Sequence, residues 1–330
     1  MSTIPKIRIG VAGAGKMGKN HIRVLSELGN MFELVGVYDP IPERRNSAAK
    51  TYDIEAFCSY EQLLDSVEAV TIACPTSLHK ELATLAGEKG VHTLVEKPAS
   101  ECVSDTEDMC ILFAKKGLRF TVGHVERFNP VIRCLSDIAK NVEIAAIEVH
   151  RCGPFDSRIY DVDVVSDLMI HDIDIVSNAI CDSDVFDVNA FGKRVYGEKF
   201  VDYATAALTF PNGVLAFITA SRCTEDKIRK ICLHTKGSFI EGDLLNRTLV
   251  IKRSANFDER GIVPHSLYSQ SNITEHIVLP NEEPLKQEMI NFGRSIFSDI
   301  TPEVSSKQVL RSMKILERIE DAIYSGGGKF

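Results

Sequence analysis

The stretch Ile7-Arg8-Ile9-Gly10-Val11-Ala12-Gly13-Ala14-Gly15-Lys16-Met17-Gly18 decides the fold. The β-branched run from Ile7 to Val11 predicts a strand, and Lys16 to Leu28 predicts the helix that follows it. Between them, Gly13 permits a tight turn, Gly15 lets backbone approach a pyrophosphate, and Gly18 lets helix and strand pack closely. The helix N-terminus then offers free N–H groups to an anion. G-x-G-x-x-G by itself is often only a turn; the strand before it and the helix after it turn it into a dinucleotide-binding signature. A P-loop is excluded, because Lys16 is followed by Met17 and not by Ser or Thr.

Outward from this motif the alternation continues. Phe32 to Tyr38, Val70 to Ala73, Thr93 to Glu96 and Phe120 to Val122 predict strands. Helices are predicted near Glu43 to Tyr52, Leu78 to Lys89 and Asp105 to Lys116. Such alternation predicts an α/β Rossmann domain over residues 1–123, a parallel sheet with helices on both faces. Residues 124–330 have a different texture and predict an α+β domain with a large, mostly antiparallel open sheet. Strands are expected at Val142 to His150, Val185 to Arg194, Tyr203 to Phe210, Val214 to Ala220, Ile231 to Thr235 and Thr248 to Lys252. Asn212-Gly213 predicts a hairpin turn with positive φ at both positions. Val164 to Ile180, Leu285 to Phe297 and Lys307 to Ile323 are expected to be helical, and the last of these has the option of packing back on the first domain.

Composition narrows the function. The chain has 330 residues, 44% of them hydrophobic, which is enough for two well-buried cores. Its 38 Lys and Arg against 46 Asp and Glu give a net charge of −8, which argues against nucleic acid or an anionic membrane as partner. Nine cysteines without a C-x-x-C pair support neither structural zinc nor a disulfide framework; reduced thiols in a cytoplasmic protein fit best. No apolar run reaches the ~18 residues of a membrane span, and the N-terminus does not read as a signal peptide.

Asp39 lies 21 residues beyond Gly18, where the second strand ends. A carboxylate there accepts hydrogen bonds from ribose hydroxyls and repels a 2′-phosphate, so the expected cofactor is NAD. The same carboxylate also suits a helix cap before Pro40, and Arg44 and Arg45 soften the discrimination against NADP. Glu96-Lys97-Pro98 ends a strand at the edge where open α/β sheets bind ligands, which aims Lys97 at the cofactor site; an ordinary surface lysine is the rival reading. In Asp167-Leu168-Met169-Ile170-His171-Asp172-Ile173-Asp174, regular helical spacing puts Asp167, His171 and Asp174 on one face. A carboxylate one turn from a histidine can orient it for acid–base work, although a solvated acidic helix would show the same pattern. Metal binding is not expected, for want of an EF-hand glycine or a second histidine at ligand spacing.

Gly13 through Gly18, Cys74-Pro75-Thr76-Ser77-Leu78-His79, Glu96-Lys97-Pro98 and Asp167 through Asp174 together resemble the glucose-fructose oxidoreductase / inositol dehydrogenase (Gfo/Idh/MocA) family. The resemblance implies an NAD-dependent sugar dehydrogenase with Lys97, Asp167 and His171 in the catalytic positions. It implies cofactor contacts from Gly13, Gly15, Lys16, Met17, Gly18, Asp39, Cys74, Pro75, Thr76, His79, Glu96, Lys97 and Pro98, and a homo-oligomer, dimer or tetramer, through the C-terminal sheet. Gly123 to Pro130 and His150 to Pro154 are similar to the branch acting on UDP-N-acetyl-hexosamines. That branch oxidises the 3-hydroxyl to a 3-keto sugar, which is then aminated for lipid A or surface polysaccharide. The corresponding uronate, or a free polyol such as inositol, is the alternative substrate, and a non-catalytic NAD-binding regulator is the alternative class. A diphosphate on an acidic chain needs dedicated cations, for which Arg127, Arg151 and Arg158 are the candidates. Asn129 either bonds a sugar hydroxyl or caps the helix that Pro130 starts.

Overall fold

In the computed structural model, strand β1 (Ile7–Ala12) runs into the glycine loop and helix α1 (Lys16–Glu27), as the motif predicts. The structure describes residues 5–156, 162–254, 272–298 and 300–325. It divides into two compact units, 1–128 with 282–317, and 129–281 with 318–330.

The first unit holds a parallel sheet whose order is β3-β2-β1-β4-β5-β6, formed by β2 (Phe32–Tyr38), β3 (Glu55–Phe57), β4 (Ala69–Ile72), β5 (His92–Glu96) and β6 (Phe120–Gly123) around β1. Crossovers are made by α1, α2 (Pro42–Tyr52), the short α3 (Tyr60–Asp65), α4 (His79–Glu88) and α5 (Val103–Lys116). The strand order reverses beside β1, so the β1–α1 loop lies at the switch point where such sheets bind ligands. β1 and β4 are almost wholly buried, as expected for a sheet covered on both faces. Strand β3 and helix α3 were not legible, being only three and six residues long.

The second unit begins with α6 (Pro130–Ala139) and carries eight strands among its described residues. These are β7 (Ile144–Cys152), β8 (Asp187–Lys193), β9 (Tyr203–Thr209), β10 (Leu215–Ser221), β11 (Ile228–Thr235), β12 (Phe239–Asp243), β13 (Thr248–Ser254) and β14 (Asn272–Ile277), in the order β14-β13-β12-β11-β7-β10-β9-β8. Among the described strands of this sheet, only the β7–β10 pair is parallel. Alternation in β9 buries Ala204, Ala206 and Leu208 and leaves the other face half-buried beyond the exposed Tyr203.

Two expectations need correction. The β9–β10 hairpin forms, but within it positive φ belongs to Gly213 alone (φ 85°), and the Gly213 N–H donates to Phe210 O at 2.9 Å. Pro211 fixes a negative φ at the first turn position, which excludes the mirror-image turn and leaves a type I turn completed by a left-handed glycine. The segment 165–180 is helical but not regular: π-helical turns at Val165–Met169 and Ile175–Ile180 flank a single α-helical turn, α7 (Ile170–Asp174). The wider turns depart from 3.6-residue spacing on either side of α7, while His171 and Asp174 keep it on α7 itself and Asp167 stands on the first π turn. Asp174 turns inward, and its Oδ1 accepts from Asn178 Nδ2 at 2.9 Å.

Helices α8 (Pro284–Phe297) and α9 (Ser306–Ser325) complete the described chain. α8 belongs to the first unit, where Leu285, Met289 and Phe292 join the core around Ile7, Leu28 and Phe32. Gly293 permits this approach: a Cβ there would lie 2.5 Å from Met31 Sδ and 2.7 Å from the Phe32 ring. No described helix is long and apolar enough to cross a membrane, and all nine cysteines are free thiols.

Candidate active site

The candidate cofactor site gathers at the C-terminal edge of the parallel sheet. Gly13 sits at φ 102°, and a Cβ there would fall 2.3 Å from Ala73 O; a Cβ on Gly18 would fall 1.8 Å from Gly13 O. Both positions therefore admit only glycine, whereas a Cβ on Gly15 would meet open space. α1 starts at Gly15 without a side-chain cap, so the N–H groups of its first turn are left for an anionic ligand. Lys16 is exposed and Met17 half-buried beside them. These features fit the pyrophosphate of a dinucleotide.

Asp39 is buried and holds this loop directly. Its Oδ2 accepts the Ala14 N–H at 2.8 Å and its Oδ1 accepts the Ile41 N–H at 2.9 Å, while Arg45 donates to its backbone carbonyl. The carboxylate thus joins two loops of the site, with lone pairs left over for ribose hydroxyls.

Across the same edge lie Cys74, Pro75 and Thr76 after β4, and Glu96, Lys97 and Pro98 after β5. His79 ties the two together: its Nδ1 lies 2.9 Å from Pro98 O and its Nε2 3.0 Å from Cys74 O. The ring is buried, so its place is that of a clamp rather than of a group in contact with a ligand. Burial pushes its pKa below the usual histidine value, against the pull of the two carbonyls. Burial also pushes the Cys74 thiol up to about 12, which keeps it protonated and inert.

Lys97 is half-buried and is joined to the following Pro98 by a cis peptide bond. Glu96, beside it, is buried against His21, with Nε2 of His21 2.8 Å from Glu96 Oε1. Burial disfavours the Glu96 carboxylate, but the hydrogen bond to His21 and the charges of His21 and Lys97 outweigh it and hold the carboxyl below its usual range. His21 was missed in the sequence, where it occupies an inward position of α1 with Gly18, Ile22 and Leu25. A histidine in an otherwise apolar stripe was the available signal.

The second unit carries the other candidate acid–base groups. Asp163 opens the helical segment by accepting the Val165 and Ser166 N–H groups, both at 2.9 Å. Asp167 and His171 are both half-buried, Asp167 on the first π turn and His171 on α7. Arg222, just after β10, donates to Asp167 Oδ2 at 3.1 Å and to the carbonyls of Val162 and Asp163 at 2.9 and 3.3 Å. Nothing in the spacing around Arg222 pointed to this partnership.

The expected phosphate clamps are placed otherwise. Arg151, on β7, is buried, and its Nε lies 2.9 Å from each Asp172 oxygen and its Nη2 2.8 Å from Oδ1. Its charge is matched inside the unit, which corrects its assignment to the substrate diphosphate. Arg127 is likewise buried, with Nη2 donating to Glu303 O at 2.9 Å and Gln308 Oε1 at 3.1 Å. Asn129 is a helix cap: its Oδ1 accepts the Val131 N–H at 3.1 Å and its Nδ2 donates to Leu244 O at 3.2 Å. Arg158 lies outside the described residues. No cluster fit to hold a metal ion occurs among the described residues.

Residues 7–124 match the model of an oxidoreductase family with an NAD-binding Rossmann fold, GFO/IDH/MocA, and residues 154–240 match the C-terminal domain of the same family. The chain is 33% identical over 245 residues to UDP-N-acetylglucosamine 3-dehydrogenase of Acidithiobacillus ferrooxidans, covering 74% of this chain and 76% of that one. The solved structure of that organism's enzyme, GnnA, matches with a TM-score of 0.88 at 28% identity, covering 98% of this chain and 99% of the other. The scyllo-inositol 2-dehydrogenase (NAD(+)) of Bacillus subtilis is 26% identical over 277 residues, 77% of this chain and 79% of its own. At 20% identity and a TM-score of 0.79, over 98% of each chain, the WlbA dehydrogenase of Bordetella pertussis shares the fold. With both domain models matched, the chain belongs to the GFO/IDH/MocA oxidoreductases and uses NAD.

Proposed function

We propose that this NAD-dependent sugar dehydrogenase oxidises the 3-hydroxyl of a UDP-N-acetyl-hexosamine, UDP-N-acetylglucosamine in the first instance, to the 3-keto sugar. The observation that carries this reading is the similarity to the Acidithiobacillus enzyme, at 33% identity over about three quarters of both chains. Bound NAD supplies the hydride acceptor; the chain must dispose of the hydroxyl proton. Lys97 and His171 are the acid–base candidates, and a hydride leaves an alcohol carbon readily only as the O–H proton passes to such a base. Asp167, held by Arg222, is the candidate for keeping the histidine in register. A 3-keto product is a substrate for transamination, which fits a route to 3-amino sugars of lipid A or surface polysaccharide.

The test is a panel of UDP-N-acetylglucosamine, its uronate, glucose 6-phosphate and scyllo-inositol, scored by NADH formation. UDP-N-acetylglucosamine is expected to give the highest kcat/KM. Lys97→Met and His171→Asn are each expected to lose about 10²–10⁴-fold in kcat while NAD still binds, and Asp167→Asn less. Preference for the polyol would refute the substrate, and near-normal turnover in both variants would refute the catalytic assignment.

A further inference from the structure

If Arg127 and Arg151 are engaged within their own units, recognition of a nucleotide sugar needs another source of binding energy. The second unit offers one. A cavity of about 150 Å³ beside the helical segment is lined by Phe155, Tyr196, Phe200, Val162, Lys199 and Arg222, among others. Sites that enclose a whole small molecule usually measure roughly 300 Å³ or more, so this one suits a single ring of a larger ligand. Phe155 and Tyr196 stack with centroids 4.3 Å apart and rings inclined by 32°, yet remain 40% and 52% exposed. Paired aromatics left open to solvent in a concavity present a ready flat surface.

The platform is built, not incidental. Asp202 is buried, and its Oδ2 accepts both the Val195 and Tyr196 N–H groups, at 2.8 and 2.9 Å. Its backbone carbonyl accepts the Arg222 N–H at 2.8 Å, and its own N–H donates to Lys193 O at 2.9 Å. The tyrosine is therefore fixed to the ends of β8, β9 and β10 before any ligand arrives, which lowers the entropic cost of binding. Arg222 both lines the cavity and holds Asp167, so the platform adjoins the candidate catalytic helix. The lining is charge-balanced, Lys199 and Arg222 against Glu198 and Asp202, which makes stacking rather than phosphate attraction its main resource.

We infer that the exposed ring surface of the Phe155–Tyr196 pair seats the nucleobase of the nucleoside-diphosphate sugar. The inference rests on the proposed substrate class and adds the residues that would select it. It also distinguishes this chain from a dehydrogenase of free polyols, which have no aromatic group to stack.

The experiment is calorimetric titration of the full-length protein with UDP, alongside steady-state kinetics with UDP-N-acetylglucosamine. Phe155→Ala and Tyr196→Ala are each expected to weaken UDP binding by about 10- to 100-fold, the range for losing one aromatic partner of a base. Tyr196→Phe keeps the ring and should restore affinity, a rescue that a merely structural tyrosine hydroxyl would not show. The losses should fall on KM for the UDP sugar and leave KM for NAD unchanged. N-acetylglucosamine 1-phosphate, which lacks the base, should bind the wild type and the truncated variants equally. Both side chains are well exposed, so melting temperatures near wild type should accompany these effects. If the wild type oxidises UDP-N-acetylglucosamine but both alanine variants bind UDP as it does, the platform is refuted and the substrate class stands. If the wild type neither binds UDP nor oxidises any UDP sugar, both are refuted.

Discussion

The buried pair Arg151–Asp172 predicts that these residues act on stability before they act on substrate. Three close N–O contacts of 2.8–2.9 Å join them, with the side chains 4% and 0% exposed. Removing one partner strands the other charge where water cannot reach it, at a cost of about 3–5 kcal/mol. At roughly 2–4 °C per kcal/mol for a domain of this size, Asp172→Ala or Arg151→Met should lower the melting temperature by about 6–20 °C. Replacing both together, as Arg151→Met with Asp172→Leu, removes the desolvation cost along with the attraction and should recover most of that loss. Scanning calorimetry of the two single variants and the double variant forms a cycle whose coupling measures the pair. Asp172 directly follows His171, so activity will fall with the single variants; recovery of melting in the double variant separates the two effects. Single variants that melt within about 2 °C of wild type, with a raised KM for the UDP sugar in Arg151→Met, would refute the structural reading and return Arg151 to the substrate.

Asp39→Ala should narrow the preference for NAD over NADP and also weaken NAD binding by about tenfold, because the Ala14 N–H loses its acceptor; unchanged NAD affinity by calorimetry would show that the carboxylate does not shape the loop. Acid should destabilise the fold in two stages. His79 and His92 are held below the ordinary histidine value, chiefly by burial, so the unfolded chain takes up protons first and stability declines as pH falls below about 6.5. Glu96 is held below its usual range, so its contribution is present above about pH 4.5 and is lost as pH falls further. Urea unfolding across this range should show a shallower slope in His79→Gln, and an unchanged slope would exclude His79 as a source.

The sequence by itself determined most of the strand–helix series of the first unit, though not β3, α3 or the membership of α8 in it. Gly13 and Gly18 act through backbone clearance, and the strands β1, β2, β4 and β5 act through period and β-branching, which neighbouring residues display. Spacing also singled out Lys97, Asp167 and His171, because short motifs set which residues share a loop or a turn. Tertiary structure decided what each remaining polar group does. Asp172 meets Arg151 across 21 residues, Glu96 meets His21 across 75, and Asp167 meets Arg222 across 55. It also decided that the helical segment widens into π turns on either side of α7 and that Asp174 is buried with Asn178 as its partner. A buried charge is stable only where a partner of opposite sign is brought within hydrogen-bonding distance. That proximity is made by packing between distant segments, and no local pattern encodes it.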